Sequence, residues 1–208
     1  SPLSTATAGN HLLVPATRPN APAAATWYVD HAATGANTGK NWANAFTRLQ
    51  SALDIAQPGE KVWVAQGVYH ERIYPKNEVA LYGGFAGIDT EVNRDQRDWQ
   101  RHPAILDGDL GGAVVRFEIP FGTTATRLDG FTVRNGHGVM CGGILCVGTS
   151  PTLEHNRITG NFAEGEGAGI SCDSSAAPAI LNNIIEENYA GAGGEGGGIC
   201  CQAGSSPL

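Results

Sequence analysis

From residue 128 to the end, apolar positions alternate with polar ones in runs of three to five, and Gly, Asn and Ser separate the runs. Alternation of this kind puts every second side chain on one face, the signature of short β-strands. The runs recur. Leu128-Asp-Gly-Phe-Thr-Val133 leads to Gly142-Gly-Ile144-Leu-Cys146. Pro151-Thr-Leu153-Glu-His-Asn156-Arg-Ile158 leads to Gly169-Ile170-Ser-Cys172, and Pro178-Ala-Ile180-Leu-Asn-Asn183-Ile-Ile185 leads to Gly198-Ile199-Cys-Cys201. Ile144, Ile170 and Ile199 are spaced by 26 and 29 residues, and Cys146, Cys172 and Cys201 repeat both steps. Asn156 and Asn183 are 27 apart, as are Asn161 and Asn188. One such repeat cannot bury its own apolar face, whereas stacked repeats can. Each strand then pairs in parallel with its copy one turn on, about 4.8 Å away. The spacing predicts an all-β, right-handed parallel β-helix. Isoleucine ladders line its interior, and asparagine ladders pass hydrogen bonds along the corners.

The first half reads differently. Trp27-Tyr-Val-Asp30, Val62-Trp-Val-Ala65 and Val79-Ala-Leu-Tyr82 are strand-like. Between the first two, Phe46, Leu49, Leu53 and Ala56 follow helical spacing. This predicts a helix over 44–56, capped by Asn44 and ended by Pro58-Gly59. Trp27 to Tyr69 resembles the opening module of pectin-lyase-like proteins, and that resemblance implies that the helix plugs the open N-terminal end of the solenoid. The Gly-Gly-Ile and Ile-x-x-Asn pairs (Ile158/Asn161 and Ile185/Asn188) resemble the repeats of polymorphic outer membrane proteins, with Ile where that family often has Phe. The resulting division is a linker or mature N-terminus at 1–25, rich in Ala, Thr, Pro and Ser, then a β-helix over 26–208. Within it, 26–59 forms the cap and 60–208 the stacked turns. Ser206-Pro-Leu208 opens a further repeat, so the solenoid is expected to be truncated there, its open end pairing with more repeats or another chain. Residues 88–103 are charged, break the strand rhythm and predict a protruding loop of a length that is often functional, the plainer reading being a solvated side loop that packs Trp99 on the helix flank.

Charge narrows the functional classes. The net charge is −7. Residues 128–208 carry eight acids against two arginines. No basic patch exists, which argues against nucleic acid. No apolar run is long enough to span a membrane. Five cysteines leave at least one unpaired within the chain. In Ile-x-Cys both side chains share a face, so Cys146, Cys172 and Cys201 are expected inward as small hydrophobes. A disulfide or metal role is the alternative. Cys200 is expected outward and reactive, and the side taken by Cys141 is open.

No nucleophile elbow, zinc motif or phosphate loop is present. The carboxylates offer two places for chemistry. Asp129 follows Asp107-Gly-Asp109 by about one turn, so the three can approach one another, with Arg116, Arg134 and His137 as neighbours. The plainer reading puts Asp107 and Asp129 in strand-end turns, since each precedes Gly. Glu166 and Glu195 occupy matching places in successive repeats. Stacked like charges either splay into water or are bridged by calcium. No cofactor is required otherwise. The sequence therefore supports a secreted or cell-surface bacterial solenoid that serves adhesion or glycan binding without catalysis of its own. The alternative is the N-terminal part of a polysaccharide lyase or glycoside hydrolase.

Overall fold

The computed structural model describes residues 24–118, 125–194 and 196–208. The expected 1–23 part of the linker and Glu195 lie outside these residues. Every sheet is parallel, and the architecture is an all-β parallel β-helix solenoid with an N-terminal capping helix. Three sheets form its walls. The first holds six strands, Thr26–Val29, Lys61–Ala65, Ala80–Phe85, Arg127–Asp129, Thr152–Glu154 and Ala179–Leu181. The second holds five, Gly67–His70, Ala104–Asp107, Phe131–Arg134, Arg157–Thr159 and Ile184–Glu186. The third holds four, Val115–Glu118, Ile144–Val147, Ile170–Asp173 and Ile199–Cys201. The two-residue strands His137–Gly138, Phe162–Ala163 and Tyr189–Ala190 form a narrow fourth sheet.

Register turns sequence periodicity into columns. Leu81, Leu128, Leu153 and Ile180 stack inside the first sheet. Tyr69, Leu106, Val133, Ile158 and Ile185 do so inside the second. Val115, Ile144, Ile170 and Ile199 do so inside the third. Most of these side chains are fully buried in one continuous core. Two asparagine ladders hold the corners. The side-chain oxygen of Asn156 accepts the Phe131 N–H at 3.0 Å, and its amide donates to the Leu128 carbonyl at 2.9 Å. Asn183 repeats the arrangement one turn on, accepting the Asn156 N–H at 2.9 Å. Asn161 and Asn188 do the same at the next corner, where Asn161 accepts the Gly136 N–H at 3.0 Å. These side chains satisfy backbone groups that the tight corners leave without strand partners.

The capping helix is shorter than its periodicity suggested. It runs Leu49–Ile55 and follows a 3₁₀ turn at Trp42–Asn44. Asn44 does not cap it. Asn41 caps the 3₁₀ turn, and Phe46 bridges to Val29 in extended conformation. The free N–H groups of the helix are taken instead by Glu71, whose carboxylate accepts from Leu49 at 2.6 Å and from Gln50 at 3.2 Å. Leu49, Ala52, Leu53 and Ala56 face the core and close the first turn of the solenoid.

Candidate functional site

Outward-facing side chains also stack. On the second sheet one outer column runs Val68, Ile105, Thr132, Arg157 and Ile184, and its neighbour runs His70, Asp107, Arg134, Thr159 and Glu186. Ile105, Thr132, Arg157 and Ile184 of the first column and Arg134 and Thr159 of the second floor a groove of about 620 Å³. Its wall is the 88–103 loop, which brings Trp99, Gln100 and Pro103 to the rim. The corner residues Gly130, His155 and Asn182 line another edge.

The loop is fastened rather than merely protruding. Buried Glu91 accepts the backbone N–H groups of Ala86, Gly87 and Ile88. Asn93 and Gln96 form a capping box over the 3₁₀ turn Arg94–Gln96. Arg97 is deeply buried and donates to Asp129 Oδ1 at 2.7 Å and to the carbonyls of Gly83 and Asp129. Trp99 packs on the flank of the β-helix, as expected. Its backbone lies so close to Gly84, at φ +99°, that a Cβ there would come within 2.7 Å of the Trp99 nitrogen. Its ring contacts both the Arg97 guanidinium, 4.8 Å from the centroid, and the His155 ring, at 4.5 Å. Trp99 is thus a fixed wall.

The three candidate aspartates divide between two clusters instead of meeting. Asp107 lies on the second sheet, and its partner one turn on is Arg134. Arg134 Nε and Asn135 Nδ2 both donate to Asp107 Oδ2 at 2.8 Å, and the Asp109 N–H donates to Oδ1. Burial resists ionisation of Asp107, yet the bonds from Arg134, Asp109 N–H and Asn135 together hold it below the usual carboxylate range. Asp109 is exposed and meets His70 at 2.9 Å. Asp129 lies on the first sheet, one turn from Tyr82 and Glu154. It is shared by Arg97, Arg127 at 3.3 Å and His155 at 3.3 Å, while Arg127 also pairs with Glu154. The expected approach of Asp129 to Asp107 fails because a corner of the solenoid separates their sheets. Of the expected basic neighbours, Arg134 alone joins Asp107. Arg116 pairs with Glu118 on the third sheet, and His137 stacks edge-on with Phe162 on the fourth. Asp107 and Asp129 do end strands, each followed by glycine, with Gly130 at φ +81°.

Ligand atoms of His70, Asp107 and Asp109 lie within 4.8 Å of one another, and so do those of Asp129, Glu154 and His155. In both groups the buried carboxylate is already held by arginine, which makes these ion-pair networks. Glu166 accepts a hydrogen bond from the Cys200 thiol at 3.3 Å. Its expected partner for calcium, Glu195, lies outside the described residues.

Sequence reading missed the groove itself. Ile105, Thr132, Arg157 and Ile184 come from four different turns, and only the register sets them side by side. Among the lining residues are Arg134, His155 and Arg157, and their carboxylate partners Asp107, Asp129 and Glu186 lie just outside the lining, Glu186 meeting Arg157 at 2.7 Å.

The sheets and this groove place the molecule among parallel β-helices with a ligand-sized cleft on one outer face. Over residues 32–206 the chain matches the model of a family described as "Protein of unknown function (DUF1565)", and it belongs to that family. Comparison with curated proteins and with solved structures gives no match. Among the described residues, no helix is long and apolar enough to cross a membrane.

Proposed function

We propose that the chain is an extracellular, non-catalytic β-helix module that binds an elongated, carboxylate-bearing polysaccharide along the groove of its second sheet. The observation that carries this reading is the set of cationic side chains on the groove's lining. Two arginines and a histidine line the cleft with no acid among the lining residues, and Arg134, Arg157 and His155 are held in place there by Asp107, Glu186 and Asp129 beside it. Guanidinium groups match carboxylates geometrically as well as electrostatically. Thr132, Thr159 and Asn182 supply hydrogen-bonding groups suited to hydroxyls. The four rungs from Ile105 to Ile184 span about 14 Å at the usual strand spacing, so an extended ligand suits the site better than a compact one. The resemblance of Trp27 to Tyr69 to pectin-lyase-like proteins is consistent with a glycan partner.

Isothermal titration with uronate oligosaccharides and with neutral oligosaccharides of equal length tests the reading. Uronates are expected to bind and neutral sugars to bind at least tenfold more weakly. Arg157→Gln should weaken uronate binding about tenfold, or about 1.4 kcal/mol, and rising salt should weaken it further. Binding is expected to be the same with calcium and with a chelator. Equal affinity for neutral and acidic sugars would remove the basis of the proposal.

A second reading, carbohydrate cleavage, rests on the Asp129–His155 pair at the groove's rim. A carboxylate at one imidazole nitrogen is a common way to orient a histidine for proton transfer. An assay for unsaturated products and new reducing ends, run with the wild type and with His155→Gln, separates the two. Turnover that disappears in the variant would favour the second reading.

A further inference from the structure

Cys146, Cys172 and Cys201 share the inward column of the third sheet, in register across neighbouring strands. Cys141 lies elsewhere. It is buried, as is Leu145, yet neither belongs to the interior core. Leu145 sits between the inward-facing Ile144 and Cys146 and pairs in register with Arg116 and Ser171, so its side chain points outward. An outward leucine on a solenoid wall is ordinarily wet. Here Val139, Met140 and Cys141 gather beside it around a pocket of about 230 Å³, which shares no residue with the groove of the second sheet.

The pocket joins apolar to cationic groups. Tyr74, Val139 and Met140 line it and are 50%, 66% and 49% exposed. Large apolar side chains left open around one cavity mark a ligand surface, which singly scattered ones do not. Arg72 and Arg116 are also in the lining. Arg116 is neutralised by Glu118 on its own strand. Arg72 differs. Among the described residues it meets no carboxylate, and its Nη1 donates to the Gly111 carbonyl. Backbone shape makes room for that bond. Asp109, Leu110 and Gly112 take left-handed φ values of +47°, +60° and +121°. A Cβ at Gly112 would come within 2.8 Å of Arg72 Nη1. A guanidinium carries several N–H donors, so the bond to Gly111 leaves others for an anion.

We propose that this pocket binds a small organic carboxylate with a flat apolar body, such as an arylacetate, its carboxylate on Arg72 and its body against Tyr74, Met140 and Leu145. Charge selects the anion. Arg72 is a permanent cation without an acid beside it, and a guanidinium matches a carboxylate with two parallel bonds. Volume selects the size. Pockets for drug-sized ligands run about 300–1,000 Å³, so this smaller one suits a single ring with a short acidic arm. The lining selects the apolar body. Apart from the arginines and the Tyr74 hydroxyl it offers no hydroxyl or amide side chain, so a sugar's hydroxyls would be left without partners there. The site is independent of the glycan reading of the groove.

The test is an NMR titration of the methyl-labelled native chain with phenylacetate, phenylacetamide and acetate. Phenylacetate should give saturable shifts at the Val139, Met140 and Leu145 methyls. Phenylacetamide, which lacks the charge, should bind about tenfold more weakly or worse. Acetate, which lacks the ring, should leave these methyls unmoved where phenylacetate saturates. Arg72 is exposed, so Arg72→Gln should keep the melting temperature and weaken phenylacetate about tenfold, with Arg72→Lys recovering part of the loss. Arg157→Gln, in the groove, should leave phenylacetate binding unchanged. Absence of saturable shifts at these methyls, shifts at Ile105 and Ile184 in their place, equal binding of the amide, or an Arg72→Gln chain that binds as the wild type does would each overturn the proposal.

Discussion

At the scale of single residues, the corners are set by side chains that replace missing backbone partners. Asn156 is nearly inaccessible and takes part in bonds to Phe131, Leu128 and Asn183. Asn156→Ala leaves a buried N–H and a buried carbonyl without partners, each costing about 1–3 kcal/mol. Chemical denaturation should therefore show a loss of about 2–4 kcal/mol, whereas the same change at exposed Asn182 should cost far less. The repeat of Asn at 27 residues made this legible beforehand. The roles of Arg97 and Glu91 were not legible. Each is a charged residue in a charged loop, and nothing in the local sequence marks it as buried. Their partners are distant in the chain or are backbone groups whose placement depends on the folded loop.

At the scale of elements, the strands follow their periodicity because alternation alone decides which face is apolar. The capping helix did not follow it to the same degree. Phe46 has helical spacing with Leu49 and Leu53, yet it is drawn into an extended bridge with Val29. A seven-residue helix has little stability of its own. It depends on the core contacts of Leu49 and Leu53 and on the carboxylate of Glu71. Glu71→Ala removes a charged acceptor at the positive end of the helix and should cost about 1–2 kcal/mol. The melting temperature reports the loss, and Glu71→Gln, which keeps an acceptor oxygen, should restore part of it. An acid 22 residues away from Leu49 carries no local signal of capping.

At the scale of the whole molecule, stability in a solenoid is a sum over turns and their interfaces, so burial should grade into protection. Ile144 and Ile170 are fully inaccessible, whereas Ile199, one rung on in the same column, is 39% exposed. Hydrogen exchange should show the amides of the fully buried rungs at Ile144 and Ile170 exchanging more slowly than those of exposed positions such as Val92 and Leu110, and uniform protection would contradict this account. The sequence by itself determined the strands, the repeat, the interior ladders and the asparagine corners. Each follows from a period that the chain writes locally and that stacking can only reproduce. The groove, the division of Asp107 from Asp129 and the fastening of the loop were decided by tertiary structure alone. They depend on which residues of different turns share a rung and on which side of a corner each rung lies, and no spacing along the chain specifies that until the corners have closed.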